Sequence, residues 1–464
     1  MTLNRFERRI VRCLLPVVLA TVSGFAAEPV GGPGDIDPRL PKFFVAKEQH
    51  ARSLAREFDL KVAPEMWAFF EAGAQSDWAT VRKLWRELSR RSGQYAGVSD
   101  ESVRNLAWPP VLEGELAYEC FTSMDIKFVE AFARDTIAAI PKGAIYFGGT
   151  DPGRGVITAF VKSHADADPF FVLTQNGLAD SLYLKFLNAT FGKKIYVPTD
   201  GESEKAFEAY KADAGIRLDQ DRLKPGEQVS RVDGKIEISG NVSVMEVNGL
   251  LAKIIFEKNP RHEFYIEESF PLDWMYPHLS PQGPIMKITR RPLPALGDAA
   301  LEADRKYWQK LTARFLGDWL KESTPVQSVC EFVERVYGDV QLEGFTGDPD
   351  YVLADRSHTP HRLFGKLRLA HAVLFEWRFE QAATPAEKEA MKSAAELAYK
   401  QLLALAPDES EYVRRCARFF LDQKRQGDAR RVLDTGLRLN PRSKRLAEML
   451  GELSNSEFRI PNAK

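Results

Sequence analysis

Cysteine and histidine are scarce in this chain, at 4 and 7 of 464 residues. Beyond Cys13 the cysteines stand far apart, at 120, 330 and 416, which fits neither the paired spacing of a zinc site nor a dense disulfide framework. Cys120, Cys330 and Cys416 therefore read as small buried hydrophobes. His358 and His361 have a spacing found in metal sites, but no third ligand accompanies them, so no metal is expected. No nucleophile elbow occurs, and no cysteine has a base close in sequence. Long apolar runs are missing as well. After residue 27 nothing approaches the roughly 20 apolar residues of a spanning helix. Charge of one sign is not in excess either, at −1 overall.

What is present begins at the N-terminus. Arg5, Arg8, Arg9 and Arg12 precede an apolar run from Cys13 to Ala27, with Gly24 and Ala26 set two apart at its end. That is the pattern of a secretory signal, expected over residues 1–26. A periplasmic or secreted mature protein follows, with an uncleaved anchor as the alternative. The near-zero net charge hides an uneven distribution. Residues 360–464 hold 20 Lys and Arg against 14 Asp and Glu, and the segment between signal and tail is near −10. Arg414, Arg415 and Arg418 head the basic cluster and are the candidate residues for holding a protein partner. Export makes nucleic acid an improbable ligand.

The tail also repeats itself. Leu405 falls on Leu439, Pro407 on Pro441, Leu403 on Leu437, Ala398 on Val432 and Ala395 on Ala429, an offset of 34 residues. This is the period of a tetratricopeptide repeat (TPR), a helical hairpin that buries its apolar face only by stacking on its neighbours.

Periodicity sets out the rest. Pro64 to Arg91 predicts a helical hairpin, with Met66, Phe69 and Phe70 on one face, Val81, Leu84, Trp85 and Leu88 on the next, and Asp77 as N-cap. Trp108-Pro109-Pro110 predicts a chain break, and a single helix is expected from Leu112 to Ala139. Short apolar runs at 144–147, 170–173 and 195–197 alternate with amphipathic segments, the mark of parallel βαβ units. Val232-Asp233-Gly234-Lys235 predicts a hairpin turn. Further strands are expected at 263–266 and 284–288, and helices to the end. The fold class is thus α/β plus all-α. A central Rossmann-like parallel-sheet domain, residues 111–293, follows a helical region, 27–110. A helical connector, 294–357, leads to the tetratricopeptide region, 358–464.

Ligands of open parallel sheets bind outside the carboxyl ends of the strands. The residues expected there are Asp151 and Arg154, in a Gly-rich turn, then Thr174, Gln175 and Asn176, then Thr199 and Asp200, then Glu267 and Glu268. Such a set offers hydrogen bonds to a glycan or an anionic ligand. The turn Gly148 to Gly155 lacks the Lys-Ser/Thr of a phosphate loop and the G-x-G-x-x-G spacing, so no cofactor is expected. Glu267 and Glu268 are adjacent and point to opposite faces of a strand, which argues against a carboxylate pair. Asp273 and His278 read as cleft-wall residues.

The central region carries a resemblance. Ile140-Pro141-Lys142-Gly143-Ala144-Ile145-Tyr146-Phe147, Glu267-Glu268-Ser269-Phe270, and Tyr276-Pro277-His278-Leu279 through Gly283-Pro284-Ile285-Met286-Lys287 resemble the soluble exported part of bacterial membrane proteins related to protein O-mannosyltransferases. The whole is similar to an uncharacterised set of secreted bacterial tetratricopeptide proteins that share this region without the membrane part. The likeness spans about Ile140 to Ile288 and the helical tail. The turn after the first strand departs from it, being Gly149-Thr150-Asp151-Pro152 where the transferase group has an Asp-Asn-Asp-like sequence. The transferase chemistry belongs to a multi-helix membrane domain that this sequence does not contain, so no catalytic residue carries over. The resemblance implies an accessory module outside a membrane that meets a glycan or a protein acceptor. The expected function is non-catalytic protein binding or scaffolding; the alternative is an enzyme or lectin-like module acting on a saccharide or phosphorylated ligand in the α/β cleft.

Overall fold

The structure, a computed structural model, describes residues 37–94, 98–123, 125–149, 151–161, 169–267, 272–354 and 360–457. The expected signal segment lies outside these residues. The protein is mostly helical (64%), with few and short strands of mixed direction. It divides into two compact units, Met1–Met275 and Tyr276–Lys464.

The first unit opens with four helices: α1 (Arg39–Glu57), α2 (Pro64–Ala74), α3 (Trp78–Arg91) and α4 (Trp108–Ser123). The expected hairpin is α2–α3, and Asp77 caps α3 by accepting the Thr80 N–H at 3.1 Å. Helix α1 falls inside the expected helical region 27–110 but had not been delimited, although Leu40, Phe43, Phe44, Ala51 and Leu54 recur at helical intervals and are all buried. Phe44 meets Phe69 and Trp78, and Trp78 stacks on Tyr118 at 5.4 Å, so one aromatic core joins all four helices. Two expectations fail here. Trp108-Pro109-Pro110 does not break the chain but starts α4, because a proline in the first turn gives up only an N–H that has no helical partner. The single helix from 112 to 139 is in fact two. Asp125 starts α5 (Ile126–Ala138) by accepting the Lys127 N–H at 2.8 Å.

Next come β1 (Ile145–Gly148), α6 (Asp151–Val161), β2 (Phe171–Thr174), α7 (Ser181–Phe191), α8 (Asp200–Asp219), β3 (Gln228–Val232), β4 (Lys235–Ser239), α9 (Gly240–Lys258) and β5 (Phe264–Ile266). Strand β1 runs parallel to β2 on one side and to β5 on the other, in the order β2-β1-β5. The third expected strand, 195–197, does not form. Its backbone is held by a side chain, since Asn259 accepts the Tyr196 N–H at 2.7 Å and donates to the Tyr196 carbonyl at 3.0 Å. Ile195 and Val197 are buried, so the apolar pattern was real and only its hydrogen-bond partner differs. β3 and β4 form the expected hairpin, with Asp233 (φ 49°) and Gly234 (φ 74°) in the left-handed conformation that a tight two-residue turn demands. Gly155, the last glycine of the Gly-rich turn, serves packing: a Cβ there would lie 3.0 Å from the Leu116 carbonyl of α4.

In the second unit β6 (Leu279–Gln282) and β7 (Ile285–Ile288) form an antiparallel hairpin. Helices α10 (Asp298–Leu316), α11 (Val326–Val333), α12 (Pro349–Leu353), α13 (Pro360–Gln381), α14 (Pro385–Leu405), α15 (Ser410–Asp422), α16 (Gln426–Leu439) and α17 (Lys444–Glu457) complete it. Arg378 of α13 binds the hairpin region by donating to the carbonyls of Leu293 (2.7 Å) and Pro277 (2.9 Å). The final carbonyls of α14, left open by the end of the helix, accept from buried tyrosines, Ala404 from Tyr337 (2.9 Å) and Leu405 from Tyr351 (3.0 Å). The 34-residue offset recurs in the element boundaries: α14 and α16 end at Leu405 and Leu439, and α15 and α17 begin at Ser410 and Lys444. Gly436 of α16 lies against both neighbours, because a Cβ added there would sit 2.5 Å from Val413 of α15 and 3.2 Å from Leu446 of α17.

Candidate functional site

Register brings the predicted strand-end residues to one edge. Gly148 pairs with Thr174 and Phe147 with Ile266, so Gln175, Gly149 and Glu267 follow the ends of three adjacent strands. Glu267 is buried (0% exposed), and its Oε2 accepts the Gly149 N–H at 3.0 Å. Beside it, a 3-10 turn spans Gln175–Gly177, and Gln175 is also buried. Asn248 of α9 fixes this turn, donating to the Asn176 carbonyl at 3.0 Å and accepting the Ala179 N–H at 2.7 Å. Asp151 and Arg154 lie in the first turn of α6, and their side chains are outside the described residues, as are Thr150 and Glu268.

This geometry bears on ligand charge. A phosphate at a helix N-terminus needs free backbone N–H groups ahead of the helix. Here the Gly149 N–H, just before α6, is taken by the protein's own carboxyl group. The other acidic candidates are likewise held. Asp273 lies 3.1 Å from Lys224, which also contacts Glu246 at 2.7 Å. In the second unit His278 Nδ1 lies 2.6 Å from the Thr289 carbonyl.

The basic cluster of α15 is neutralised locally. Arg414 and Arg415 both pair with Glu411, at 2.7 and 3.2 Å, and Arg418 pairs with Asp422 at 3.1 Å. Arg431 and Arg438 meet Glu334, to which Thr435 also donates at 2.6 Å. Exposed pairs of this kind contribute about 0–1 kcal/mol, so Arg415 and Arg418 remain able to exchange their carboxylates for those of a partner.

Three features had escaped the sequence reading. Lys83, Arg86 and Arg90 form an exposed cationic stripe on α3, and the arginines bond back to helix carbonyls, Arg86 to Arg82 (3.2 Å) and Arg90 to Arg86 (3.0 Å). Their spacing of three and four was the available signal. In the second unit Asp304, Arg368 and His371 form a buried cluster. Arg368 Nη1 donates to both Asp304 oxygens at 3.0 Å, and His371 Nδ1 meets Oδ1 at 2.6 Å. Trp308 Nε1 approaches the same His371 nitrogen at 3.2 Å, but the shorter, charge-assisted contact with Asp304 prevails. A His–Asp pair of this kind orients a catalytic base in hydrolases. His371 Nε2, however, faces the Ile285 carbonyl at 3.2 Å, and the ring is fully buried. The cluster is structural. No sequence signal links residues so far apart.

The third feature is Glu115 of α4, only 4% exposed. Burial, reinforced by Glu119 and partly opposed by Arg82, pushes its carboxyl well above the usual range. A raised pKa in the folded state stabilises fully below the unfolded value, and that contribution is lost as pH rises through the folded value. Glu115→Gln will therefore be more stable than the parent at pH 8 by about 1–3 kcal/mol, with the gap closing toward pH 4. Urea denaturation at both pH values checks this, and a gap that does not change with pH refutes it.

Among the described residues no group of three or more His, Cys, Asp or Glu could hold a metal ion, and no helix is long and apolar enough to cross a membrane. Cys120, Cys330 and Cys416 are buried, and none is joined in a disulfide. His361 bonds through Nδ1 to Asp408 (3.1 Å) and lies 2.8 Å from the Tyr351 carbonyl through Nε2, while His358 is outside the described residues. No protein-family model matches the chain, and no curated protein or solved structure matches it.

Proposed function

We propose that this is an exported, non-catalytic binding or scaffold protein whose helices α13 to α17 form a tetratricopeptide-type array that holds a protein partner. The observation that carries the reading is the recurrence of helix boundaries at the 34-residue offset, with Gly436 lodged between α15 and α17. In a repeat array each second helix packs on its own first helix and on that of the next unit. On this reading the partner is acidic where it meets α15, because Arg415 and Arg418 are exposed and only loosely paired.

The test is affinity capture from the cell-envelope fraction with the full chain as bait, beside the R415E/R418E double variant. A partner retained by the parent, lost at least about tenfold by the variant and regained with an acid-to-base change in the partner supports the reading. Equal capture by both baits refutes the role of α15. Mass spectrometry of the mature N-terminus tests export, with Ala27 expected as the first residue; an intact Met1 in the cytoplasm refutes it.

A further inference from the structure

Four buried polar atoms at the carboxyl end of β2 have no hydrogen-bond partner among the described residues. They are Thr174 Oγ1, both amide atoms of Gln175, Oε1 and Nε2, and Asn176 Oδ1, all shielded from solvent. Native proteins pair more than about 90% of buried polar groups, so four orphans on three consecutive residues are a concentration that needs an explanation. Each such atom costs about 1–3 kcal/mol if nothing meets it. The segment is not a loosely placed loop. Thr174 donates its N–H to the Tyr183 hydroxyl at 2.8 Å, and Asn248 clamps the turn on its other side. The backbone is fixed while the side-chain donors and acceptors are left open.

We propose that this edge of the β2-β1-β5 strands is a binding site for a small, uncharged, hydroxyl-rich ligand, a sugar or polyol, held by Thr174, Gln175 and Asn176. The chemistry selects this class. Gln175 offers a donor and an acceptor side by side, Thr174 a hydroxyl that serves as either, and Asn176 an acceptor. Vicinal hydroxyls, each both donor and acceptor, satisfy such a set. The carboxyl group of Glu267, holding the Gly149 N–H on the neighbouring strands, counts against a phosphate or carboxylate. The position is the one where open parallel sheets take ligands. This site lies in the first unit and does not rest on the repeat reading of the second, so either stands or falls alone.

The experiment is calorimetric titration of the full chain with glucose, N-acetylglucosamine and myo-inositol, and with glucose 6-phosphate and inorganic phosphate as anionic counterparts. The expected result is binding of at least one neutral probe, with any phosphorylated counterpart weaker by about tenfold or more. Gln175→Met, which keeps the volume and removes the amide, is expected to weaken that binding at least about tenfold while the melting temperature holds or rises. Glu267→Gln is expected to narrow the gap between neutral and phosphorylated probes. No binding by any neutral probe overturns the proposal and leaves ordered water as the partner of these atoms. Unchanged affinity in Gln175→Met, or tighter binding of phosphate than of sugar, overturns it equally.

Discussion

Asp304→Ala will destabilise the second unit by about 3–5 kcal/mol, the loss typical of leaving one member of a buried ion pair without its counter-charge. Arg368 is fully buried, its Nε and Nη2 already lack hydrogen-bond partners among the described residues, and its guanidinium lies 4.9 Å from the Trp308 ring. Removing Asp304 takes away the carboxylate on which both Arg368 and His371 depend. Hydrogen exchange of peptides from α10 and α13, with denaturation followed by fluorescence of Trp308 and its neighbours, will register the loss. A difference under about 0.5 kcal/mol would falsify this account. The companion variant Asp304→Leu with Arg368→Met and His371→Phe is expected to regain most of the parental stability, since it removes the three charged or ionisable side chains together and leaves only the Trp308 indole N–H and the Ile285 carbonyl to be met. The effect also has a pH signature. Burial alone would raise the Asp304 carboxyl, but the charge of Arg368 and the bonds from His371 and Arg368 outweigh it and hold the group below its ordinary value. A lowered folded pKa stabilises above the unfolded value and loses that contribution as pH falls through the folded one. The gap between parent and Asp304→Ala will therefore be widest at neutral pH and shrink below about pH 4.

Lys47→Met will cost the first unit a comparable amount, about 3–5 kcal/mol at neutral pH. Lys47 Nζ lies 2.7 Å from Glu113 Oε2, with both side chains 3% exposed or less, and over the Phe43 ring at 4.9 Å. Methionine preserves most of the stem's packing, so the loss isolates the charge. What remains is the Glu113 carboxylate inside the aromatic core, and it is relieved only by taking up a proton. Lys47→Met should then recover part of its deficit at pH 4–5, the same direction as Asp304→Ala but for another reason: here the variant's stranded acid regains neutrality, whereas there the parent loses its ion pair. Adding Glu113→Leu should restore most of the stability at every pH. Denaturation midpoints of the three proteins at pH 5 and pH 8 decide the matter; a deficit that persists in the double variant would show that Lys47 acts through packing alone.

These two clusters mark the limit of what was legible. Lys47 and Glu113 lie on α1 and α4, and Asp304 and Arg368 on α10 and α13, at separations that no local pattern records. A buried lysine reads as a surface residue until its partner is known. Local features were legible because their physics is local. Asp77 as a cap, the left-handed Asp233-Gly234 turn and the apolar faces of α2 and α3 depend on neighbours a few residues away. The 195–197 segment marks the boundary between the two kinds of information. Its hydrophobic pattern was read correctly, but pairing belongs to another part of the chain, and Asn259 supplies it in place of a strand.

The candidate site divides in the same way. Chemistry-bearing residues at 174–176 and 267 were legible because turn residues after short apolar runs mark strand ends. Which strands adjoin was not, because a parallel sheet is ordered by crossovers and its register is set by non-local pairing. By itself the sequence determined the helical majority, the 34-residue rhythm of the tail and the short parallel-type strands, all consequences of periodicity in apolar burial. Only the tertiary structure decided that Glu267 takes the Gly149 N–H, that the arginines of α15 are met by carboxylates of their own helix, and that Asp304, Arg368 and His371 lock into one core. Each of these is a charge whose meaning depends on the group across from it, and sequence distance carries no record of that.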